Sequence, residues 1–410
     1  MLKNSERFVA LSYRDFRILW AANFLSMVGS QMQVVGQSWQ MYLITHSPVA
    51  LGLVGLCATL PMILFSVLSG SCSDRFDRKK ILLITQGLLA ILAFAFAIAT
   101  QLHLVTPWII YTATALSASG FAFVTPAQQS FIPKLVKPHH LANALSLNYI
   151  TRQTALILGP MIAGFVIAMQ GVELIYYYNA VSFLILFIGL LFIKTSGKAT
   201  REASMKVTFA IKEGWEFIIQ KPILWSTMLL DFVSSFFSSA TSLLPIFAKD
   251  VLHVGPQGLG FLYAAPAIGA VLAGMGIAHF GMGKMQGRTI LYAVAVYGFA
   301  TLLFGFSHNI LLSCTALMMV GAGDSISTII RSTVRQLETP DNIRGRVIGI
   351  NMIFFMGGPQ LGEFEAGVLA ALVGAGSSVV IGGVCTLVVV CIMGKYIPTL
   401  SLYSHELNKS

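Results

Sequence analysis

Long apolar stretches alternate with short polar gaps along the whole chain. A helix of roughly 20 mostly apolar residues is long enough to cross the hydrocarbon core of a bilayer, and twelve stretches reach that length. They lie near residues 18–44, 49–71, 81–101, 107–131, 143–170, 173–194, 222–248, 256–281, 288–307, 310–335, 346–372 and 376–397. The pattern predicts an all-α integral membrane protein with 12 transmembrane helices, and an apolar content of 56% with 10% charged residues agrees with it.

The basic residues are distributed unevenly between the gaps. Of the 26 Lys and Arg residues, all but Arg152 and Lys249 lie before the first span, in or within a few residues of every second gap, or at and after the end of the last span. Positive residues accumulate on the cytoplasmic side of membrane proteins, so we expect both chain termini in the cytoplasm. Arg331, near the end of the tenth span, counts among these cytoplasmic residues. The distribution explains the net charge of +10 without a nucleic-acid partner.

A basic segment divides the spans six and six. It carries apolar residues at helical spacing, as expected of a helix lying at the membrane surface: Val207, Ile211, Trp215, Ile218 and Ile219. The six spans on either side share short matches at an offset of 203 residues, such as Ala163-Gly164 with Ala366-Gly367. We therefore predict two pseudo-symmetric six-helix halves, as in transporters built from parallel repeats. The predicted parts are an N-terminal half 1–194, a linker 195–221 with the amphipathic segment, a C-terminal half 222–398 and a cytoplasmic tail 399–410.

The gap after the second span holds a dense cluster of charges. Residues 70–80 read GSCSDRFDRKK, which resembles the loop motif G-x-x-x-D-R-x-G-R-K of the major facilitator superfamily, with Asp77 in place of the second Gly. An acid near a helix end and neighbouring bases can hold helix ends together on the cytoplasmic face. The resemblance implies a cytoplasmic gate formed by Gly70, Asp74, Arg75 and Arg78. The alternative is a loop that only supplies the charge that sets topology.

The fifth span contains a run of small residues around a proline. Residues 155–164 read ALILGPMIAG, which resembles the motif g-x-x-x-G-P-x-x-G-G of antiporters in the same superfamily, with Ala155 for the first Gly. The resemblance implies that Gly159, Pro160 and Gly164 belong to an antiporter. Ordinary close packing of membrane helices is the alternative, because small residues also let helices approach each other.

Three further segments narrow the resemblance to one branch of this superfamily. Residues 15–17 read DFR, residues 133–144 read PKLVKPHHLANA and residues 336–347 read QLETPDNIRGRV. Together they resemble the enterobactin exporter and macrolide efflux branch of the superfamily, over essentially the whole chain. The resemblance implies an exporter driven by the proton gradient, with a siderophore as the first candidate cargo and a drug such as a macrolide as the second.

Polar residues recur every three or four positions in four spans, which places them on one face of each helix. The first span carries Asn23, Ser26, Ser30, Gln33, Gln37 and Gln40; the fourth carries Thr114, Ser117, Phe121, Thr125 and Gln128. The seventh carries Thr227, Asp231, Ser234, Ser238 and Thr241; the tenth carries Asp324, Thr328, Arg331 and Arg335. These are the spans that the major facilitator fold sets around its cavity. We expect them to line a substrate cavity, while contacts between helices are the alternative for each stripe.

Five ionisable residues lie clearly inside the predicted spans, away from the ends, where an unpaired charge costs several kcal/mol. They are Arg152, Asp231, Asp324, Glu363 and Glu365. We expect Asp231 to be the main proton-coupling acid, Asp324 the second, and at most one of the two Glu residues, Glu363 for preference, to face the cavity. Arg152 is a candidate for binding an anionic cargo or for pairing with Asp231, and a permanent Arg–Asp pair that locks the structure is the alternative.

Other chemistry finds little support in the sequence. The five Cys residues show no metal or disulfide spacing, His139-His140 has no third ligand, and no phosphate-binding loop for ATP is present. We expect no metal, no cofactor and no enzymatic activity. The expected partners are protons, a small-molecule substrate and the lipid of a bacterial inner membrane, with the monomer as the functional unit. Proton-coupled nutrient import and a non-transporting membrane sensor remain as alternatives.

Overall fold

The computed structural model describes residues 8–198, 207–281, 285–341 and 343–404. The side chains of Ser66, Val67, Ser71, Asp74 and residues 207–212 lie outside the described part. Within these ranges every regular element is helical. The helices of the first part of the chain are α1 (Arg14–Thr45), α2 (Pro48–Arg75), α3 (Arg78–Gln101), α4 (Pro107–Leu135), α5 (Leu141–Gln170), α6 (Glu173–Phe192) and α7 (Val207–Gln220).

The second part of the chain repeats this succession of long helices. They are α8 (Pro222–Ser238), α9 (Leu244–Ile246), α10 (Gly255–Phe280), α11 (Gln286–Phe306), α12 (Ile310–Glu338), α13 (Arg344–Val373), α14 (Ala375–Tyr396) and α15 (Pro398–Ser401). Three short 3₁₀ helices, Val9–Ser12, Pro138–His140 and Thr241–Leu243, and one π-helix, Phe247–Val251, complete the described elements.

Ten helical segments in the described part are long and apolar enough to cross a membrane. Two predicted spans do not reach that standard, although α1 and α13 are helices of 32 and 30 residues at the expected places. Both helices carry many polar or glycine positions, and these lower their mean hydropathy. Neighbouring helices offer hydrogen-bond partners to polar side chains, whereas lipid does not. The low mean hydropathy of α1 and α13 is therefore expected of helices whose polar faces are turned toward protein.

The seventh predicted span is not a continuous helix. The α-helix α8 ends at Ser238, and Ser239 and Ala240 lie outside any helix before the chain resumes as a 3₁₀ turn, α9 and a π-helix. Pro245 lacks the backbone N–H that a continuous α-helix would use at that position. Irregular backbone at membrane depth is tolerated where it lines a protein cavity, and this break does so.

The chain divides into two compact units. The first comprises Met1–His46 and Cys57–Glu202, and the second comprises Ser47–Leu56 and Ala203–Ser410. Each has its own buried apolar cluster, which includes Phe16, Phe131 and Phe183 in the first unit and Leu224, Ile290 and Ile330 in the second.

Glycines bring helix backbones together at corresponding places in the two units. A Cβ at Gly159 of α5 would lie 2.5 Å from Cβ of Gln31 on α1, and a Cβ at Gly362 of α13 would overlap the backbone oxygen of Phe236 on α8. The two glycines are 203 residues apart, the same offset that relates the sequence matches. Each unit therefore contains a pair of helices that pack closely at a glycine.

Candidate functional site

A cavity of about 400 Å³ lies within the first unit. Seven residues proposed from the sequence as cavity residues line it, namely Asn23, Ser30, Gln33, Gln37, Phe121, Thr125 and Arg152. Further polar side chains on its wall are Ser26, Gln31, Gln86, Thr114, Ser117, Gln128 and Asn179. The wall is therefore rich in amides and hydroxyls.

Hydrogen bonds between helices hold several of these amides in place. Asn179 of α6 donates its Nδ2 to Oε1 of Gln33 at 2.5 Å, and Thr114 of α4 donates to Oε1 of Gln37 at 3.4 Å. Gln40, the last member of the predicted stripe, does not line the cavity; its Oε1 accepts from the hydroxyl of Tyr176 at 2.7 Å. Gln40 lies about one helical turn beyond Gln37, and its amide contacts Tyr176 of α6 instead of the cavity.

Charge and aromatic surface are both present in this cavity. Arg152 is exposed, and among the described lining residues it is the only charged side chain. The rings of Phe121 and Phe183 lie on the same wall with their centroids 6.1 Å apart. The cavity can therefore accommodate a flat apolar group with an anionic or hydrogen-bonding substituent.

A second cavity, of about 230 Å³, lies within the second unit. Asp231, Asp324 and Glu363 all line it, so the three acids proposed for proton coupling share one space. Its other polar lining residues are Ser235, Ser238, Ser239, Thr241, Tyr297 and Thr301. The interruption after α8 thus contributes directly to the wall.

Asp231 is paired with a base from another helix of the same unit. Nη2 of Arg331, on α12, lies 2.7 Å from Oδ1 of Asp231, and the two side chains are only 3% and 8% exposed. The same Nη2 lies 4.0 Å from Oδ1 of Asp324, whose side chain is 51% exposed, and donates to Oγ1 of Thr328 at 2.9 Å. The buried guanidinium of Arg331 therefore forms a close ion pair with Asp231 and a longer one with Asp324.

This arrangement corrects two expectations. The ion-pair partner of Asp231 is Arg331 rather than Arg152, which lines the first unit's cavity. Arg331 is also deeply buried and ion-paired, so its role is not limited to the charge that sets topology. The signal was present in the sequence, because Arg331 follows Asp324 by seven residues and therefore lies on the same helix face.

The two neighbouring glutamates of α13 differ in their surroundings. Glu363 lines the cavity, whereas Glu365 does not. A Cβ at Gly55, in the segment of α2 that belongs to the second unit, would lie 2.5 Å from Oε2 of Glu363.

Ser238 lines the cavity and hydrogen-bonds with Thr386 at 2.7 Å. Ser234 lies behind the wall, where its hydroxyl donates to the backbone oxygen of Asp231 at 3.2 Å.

The charged loop between α2 and α3 makes contacts within the first unit. Arg78 donates to the backbone oxygens of Ser130 and Ser73 at 3.1 and 3.3 Å. Asp77 caps α3 by accepting from the backbone N–H of Lys79 at 2.9 Å. Arg75 is exposed at the end of α2, and no described neighbour of α2 lies within 4 Å of the place where a Cβ of Gly70 would lie. The side chain of Asp74 lies outside the described part.

The chain that follows α6 is fastened to the same end of the first unit. Asp15 accepts from the backbone N–H groups of Lys194 and Thr195 at 3.0 and 2.9 Å and from the Thr195 hydroxyl at 2.7 Å. The backbone N–H of Arg78 donates to the oxygen of Gly197 at 3.0 Å. Lys79 donates through Nζ to the oxygen of Ile193 at 2.6 Å. We call residues 193–198 the post-α6 clamp.

The antiporter-like motif lies on the face of α5 that contacts α1. Gly159, Pro160 and Gly164 are all buried. As described above, any side chain at position 159 would collide with Gln31, and it would also lie 3.0 Å from the backbone oxygen of Val28. Gly159 therefore permits close packing of α5 against α1, beside the cavity that Gln31 lines.

Relatives cover most of the chain. The chain is 26% identical over 362 residues to the enterobactin exporter EntS of Shigella boydii, which spans 87% of this chain and 85% of the relative. It is 25% identical over 359 residues to the protein of the same name from Escherichia coli O1:K1, with the same coverage.

Solved structures agree on the fold. The chain matches a bacterial homologue of the human lysosomal transporter Spinster with a TM-score of 0.75 at 15% identity, over 98% of each chain. It matches a bacterial homologue of the iron transporter ferroportin with a TM-score of 0.72 at 16% identity, over 93% of this chain and 98% of the other. A family model described as transmembrane secretion effector matches residues 5–406. The chain is therefore a multi-pass membrane protein of the transmembrane secretion effector family, within the major facilitator superfamily of transporters.

Proposed function

We propose that the protein is a proton-driven antiporter that exports a small amphipathic molecule, with a siderophore as the first candidate cargo. The observation that carries the proposal is the similarity to proteins named enterobactin exporters over 87% of this chain. Each unit also holds a polar cavity of its own, which supports transport of a small molecule coupled to a second species.

The proposal includes a topology of 12 transmembrane helices in two six-helix halves, 1–194 and 222–398, with both termini in the cytoplasm. Helices α1 and α13 are the two proposed membrane spans besides the ten segments that are apolar enough by composition. They have 32 and 30 residues, and at about 1.5 Å per residue each is longer than the ~30 Å thickness of the hydrocarbon core. The proposed location is a bacterial inner membrane and the proposed functional unit is the monomer.

Proton coupling is assigned to the acids of the second cavity. Arg331 faces both Asp231 and Asp324, and the single positive charge of one buried guanidinium cannot neutralise two carboxylates at once. Proton uptake by one acid lets Arg331 pair with the other, so protonation changes the pairing. Glu363 shares the space and is the third candidate carrier. Protons arriving from outside would favour the inward-open state and be exchanged for cytoplasmic cargo.

Cargo binding is assigned to the first cavity, with Arg152 opposite an anionic group and Phe121 beside an apolar one. Ser234 and Ser238 remain proposed members of the transport pathway on the side of the second unit. The loop residues Gly70, Asp74, Arg75 and Arg78 remain the proposed cytoplasmic gate. Gly159, Pro160 and Gly164 remain the proposed antiporter motif.

The decisive experiment compares siderophore inside and outside cells grown in low iron. Cells carrying the intact gene, a deletion, Asp231→Asn, Asp324→Asn or Glu363→Gln are compared at matched membrane levels of the protein. Deletion should trap siderophore in the cytoplasm, and Asp324→Asn should do so without loss of the protein. Unchanged secretion after deletion contradicts siderophore export, and a simultaneous rise in macrolide susceptibility would identify drug efflux instead.

A further inference from the structure

An apolar groove of about 340 Å³ lies on the second unit. Three helices line it, through Trp215, Ile218 and Ile219 of α7, Trp225, Met228 and Leu229 of α8, and Phe354 of α13. None of these residues lines either of the two cavities. Because every described lining residue is apolar, the groove offers no group that could exchange a proton, and it calls for an apolar occupant.

Helices α7 and α8 present the same residue spacing to the groove. On each helix the lining residues stand at positions i, i+3 and i+4, which share one helix face. Ile218 and Met228 are buried, whereas Trp215, Ile219 and Leu229 are exposed. The groove therefore has a packed floor and an open apolar rim, which is a surface that a flexible hydrocarbon chain can cover.

Contacts between α7 and α13 fix the shape of the groove. Glu213 forms an ion pair with Arg346 of α13. The rings of Trp215 and Phe354 are stacked, with centroids 6.4 Å apart and an interplanar angle of 13°. A Cβ at Gly214 would lie 3.0 Å from Cβ of Arg346, so the two helices lie close together. Helix α7 is thus held in place beside the groove.

A lysine stands at the end of the groove where α7 and α8 meet. Lys221 is the single residue between the two helices, and its backbone N–H donates to the oxygen of the groove residue Ile218 at 3.2 Å. Its side chain is 47% exposed, and Nζ lies 3.7 Å from Oε2 of Glu338. That distance is longer than a hydrogen bond, so the three donors of the ammonium group remain available to an anionic oxygen.

The position of the groove favours a membrane lipid as the occupant. Helix α8 begins the segment Pro222–Val251, which is long and apolar enough to cross a membrane. Trp is enriched at the boundary between hydrocarbon and headgroups, and Trp215 and Trp225 both line the groove. At this boundary a phospholipid offers an acyl chain to the apolar rim and a phosphate to the ammonium group of Lys221.

We propose that the groove between α7 and α8 binds one phospholipid, with an acyl chain along the apolar residues and the phosphate at Lys221. The phosphate accepts hydrogen bonds from Nζ, and the acyl chain covers Trp215, Ile219 and Leu229. The inference goes beyond the proposed function and does not depend on it, because neither cavity contributes to the groove.

The test uses the purified full chain in detergent and phospholipids whose acyl chains carry bromine, which quenches Trp fluorescence on contact. One variant retains Trp225 and another retains Trp108, an exposed residue of α4 in the first unit, while the other four Trp residues are replaced by Phe. Brominated phosphatidylglycerol should quench Trp225 saturably, and at a lower concentration than it quenches Trp108. Brominated diacylglycerol, which has the acyl chains but no phosphate, should quench both residues alike.

Lys221→Gln in the Trp225 variant should raise the half-saturating concentration of phosphatidylglycerol about tenfold, since one hydrogen bond to a charged group contributes roughly that factor. Lys395→Gln is the matched control, because Lys395 is an exposed base at the end of α14 that does not line the groove. Lys395→Gln should leave the half-saturating concentration unchanged.

Native mass spectrometry of the chain with all its Trp residues counts bound phosphatidylglycerol independently and should show one molecule that Lys221→Gln loses. Equal quenching of Trp225 by the phospholipid and the diacylglycerol contradicts the inference, and so do equal effects of Lys221→Gln and Lys395→Gln. Absence of Trp225 quenching also contradicts it, and would mean that a protein surface, such as a second copy of the chain, covers the groove. Siderophore secretion plays no part in these outcomes, so failure of the proposed function leaves them unchanged.

Discussion

The cavity of the first unit is lined by amides, hydroxyls and one guanidinium, whereas three carboxyl groups line the cavity of the second unit. Both cavities lie beside a helix pair that glycine brings together, α1 with α5 and α8 with α13. The two units therefore share a similar helix packing but differ in the side chains that line their cavities. The difference suggests that one unit is suited to recognising a molecule and the other to exchanging protons.

The largest expected effect is on stability and comes from breaking the charge pair of the second unit. Arg331→Met leaves Asp231 buried without its partner, and removal of one member of a buried pair costs about 3–5 kcal/mol. The equivalent change in the first cavity, Arg152→Met, removes an exposed charge and should change stability by no more than about 0.5 kcal/mol. Thermal and denaturant unfolding of the purified variants measures both values.

A double variant sharpens this test. Asp231→Leu combined with Arg331→Met removes both charges and should recover most of the stability that Arg331→Met loses. A double variant as unstable as the single one would show that Arg331 acts through packing and not through its charge.

The second effect tests whether the two glycine contacts are equally tight. Gly362→Ala places a methyl group against the backbone oxygen of Phe236, which cannot move aside as a side chain can, and should cost about 1–3 kcal/mol. Gly159→Ala should cost less, because Cβ of Gln31 at 2.5 Å and the backbone oxygen of Val28 at 3.0 Å lie farther from the added methyl group than the Phe236 oxygen does at position 362. Unfolding measurements compare both with Gly349→Ala, where no described residue outside the helix's own turn lies within 4 Å of the added methyl group and the alanine should be neutral or stabilising. Equal behaviour of all three variants would contradict the packing argument.

The third effect concerns coupling and separates the two cavities by function. Asp324→Asn keeps the size of a half-exposed side chain but removes its ability to carry a proton, so gradient-driven efflux should fall about tenfold or more. Efflux down a cargo gradient should persist, because the first cavity is unchanged. Proteoliposomes with and without an imposed pH gradient measure both rates. Equal loss of both rates would show that Asp324 also takes part in cargo binding.

The smallest effect is a pH dependence at the post-α6 clamp. Burial alone would raise the pKa of Asp15, but the hydrogen bonds from Thr195 and Lys194 and the nearby Arg14 outweigh it, and the pKa lies below its ordinary value. Because the folded pKa is depressed, the stabilisation is complete above about pH 4, the pKa of an unfolded Asp, and is lost as pH falls through the folded value.

Asp15→Asn should therefore flatten the dependence of the unfolding temperature on pH between about pH 5 and 3. Unfolding scans of both proteins across this range make the comparison. An unchanged slope would show that other acids dominate the acid sensitivity of the protein.

Much of the first cavity could be predicted from the sequence, because a helix with a period of 3.6 residues turns its polar stripe to one side. Asn23, Ser30, Gln33 and Gln37 followed that rule, whereas Gln40, one helical turn further along α1, pairs with Tyr176 and does not line the cavity. Gln86 escaped notice because only Thr85 accompanies it as a polar residue within the apolar stretch 81–99 of α3, and two adjacent residues form no helical period.

The second cavity was harder to predict because its geometry depends on tertiary contacts. The acids were evident as charges inside apolar spans, but Arg331 was counted with the residues that set topology. Its burial depends on Asp231, which is 100 residues earlier in the chain. The interruption after α8 was also missed, since apolar composition continues through it and only the serines and Pro245 mark it.

The post-α6 clamp limits where this protein can be cut or extended. Asp15, Arg78 and Lys79 reach forward to a stretch that looks in sequence like the start of an ordinary connector. A reporter domain inserted between Phe192 and Lys198 would pull that stretch off the first unit, and a fragment ending at Phe192 would leave the Asp15 carboxylate without its donors. For fusion or split-protein work, the first half of the molecule therefore ends after Lys198 rather than at the last turn of its sixth helix.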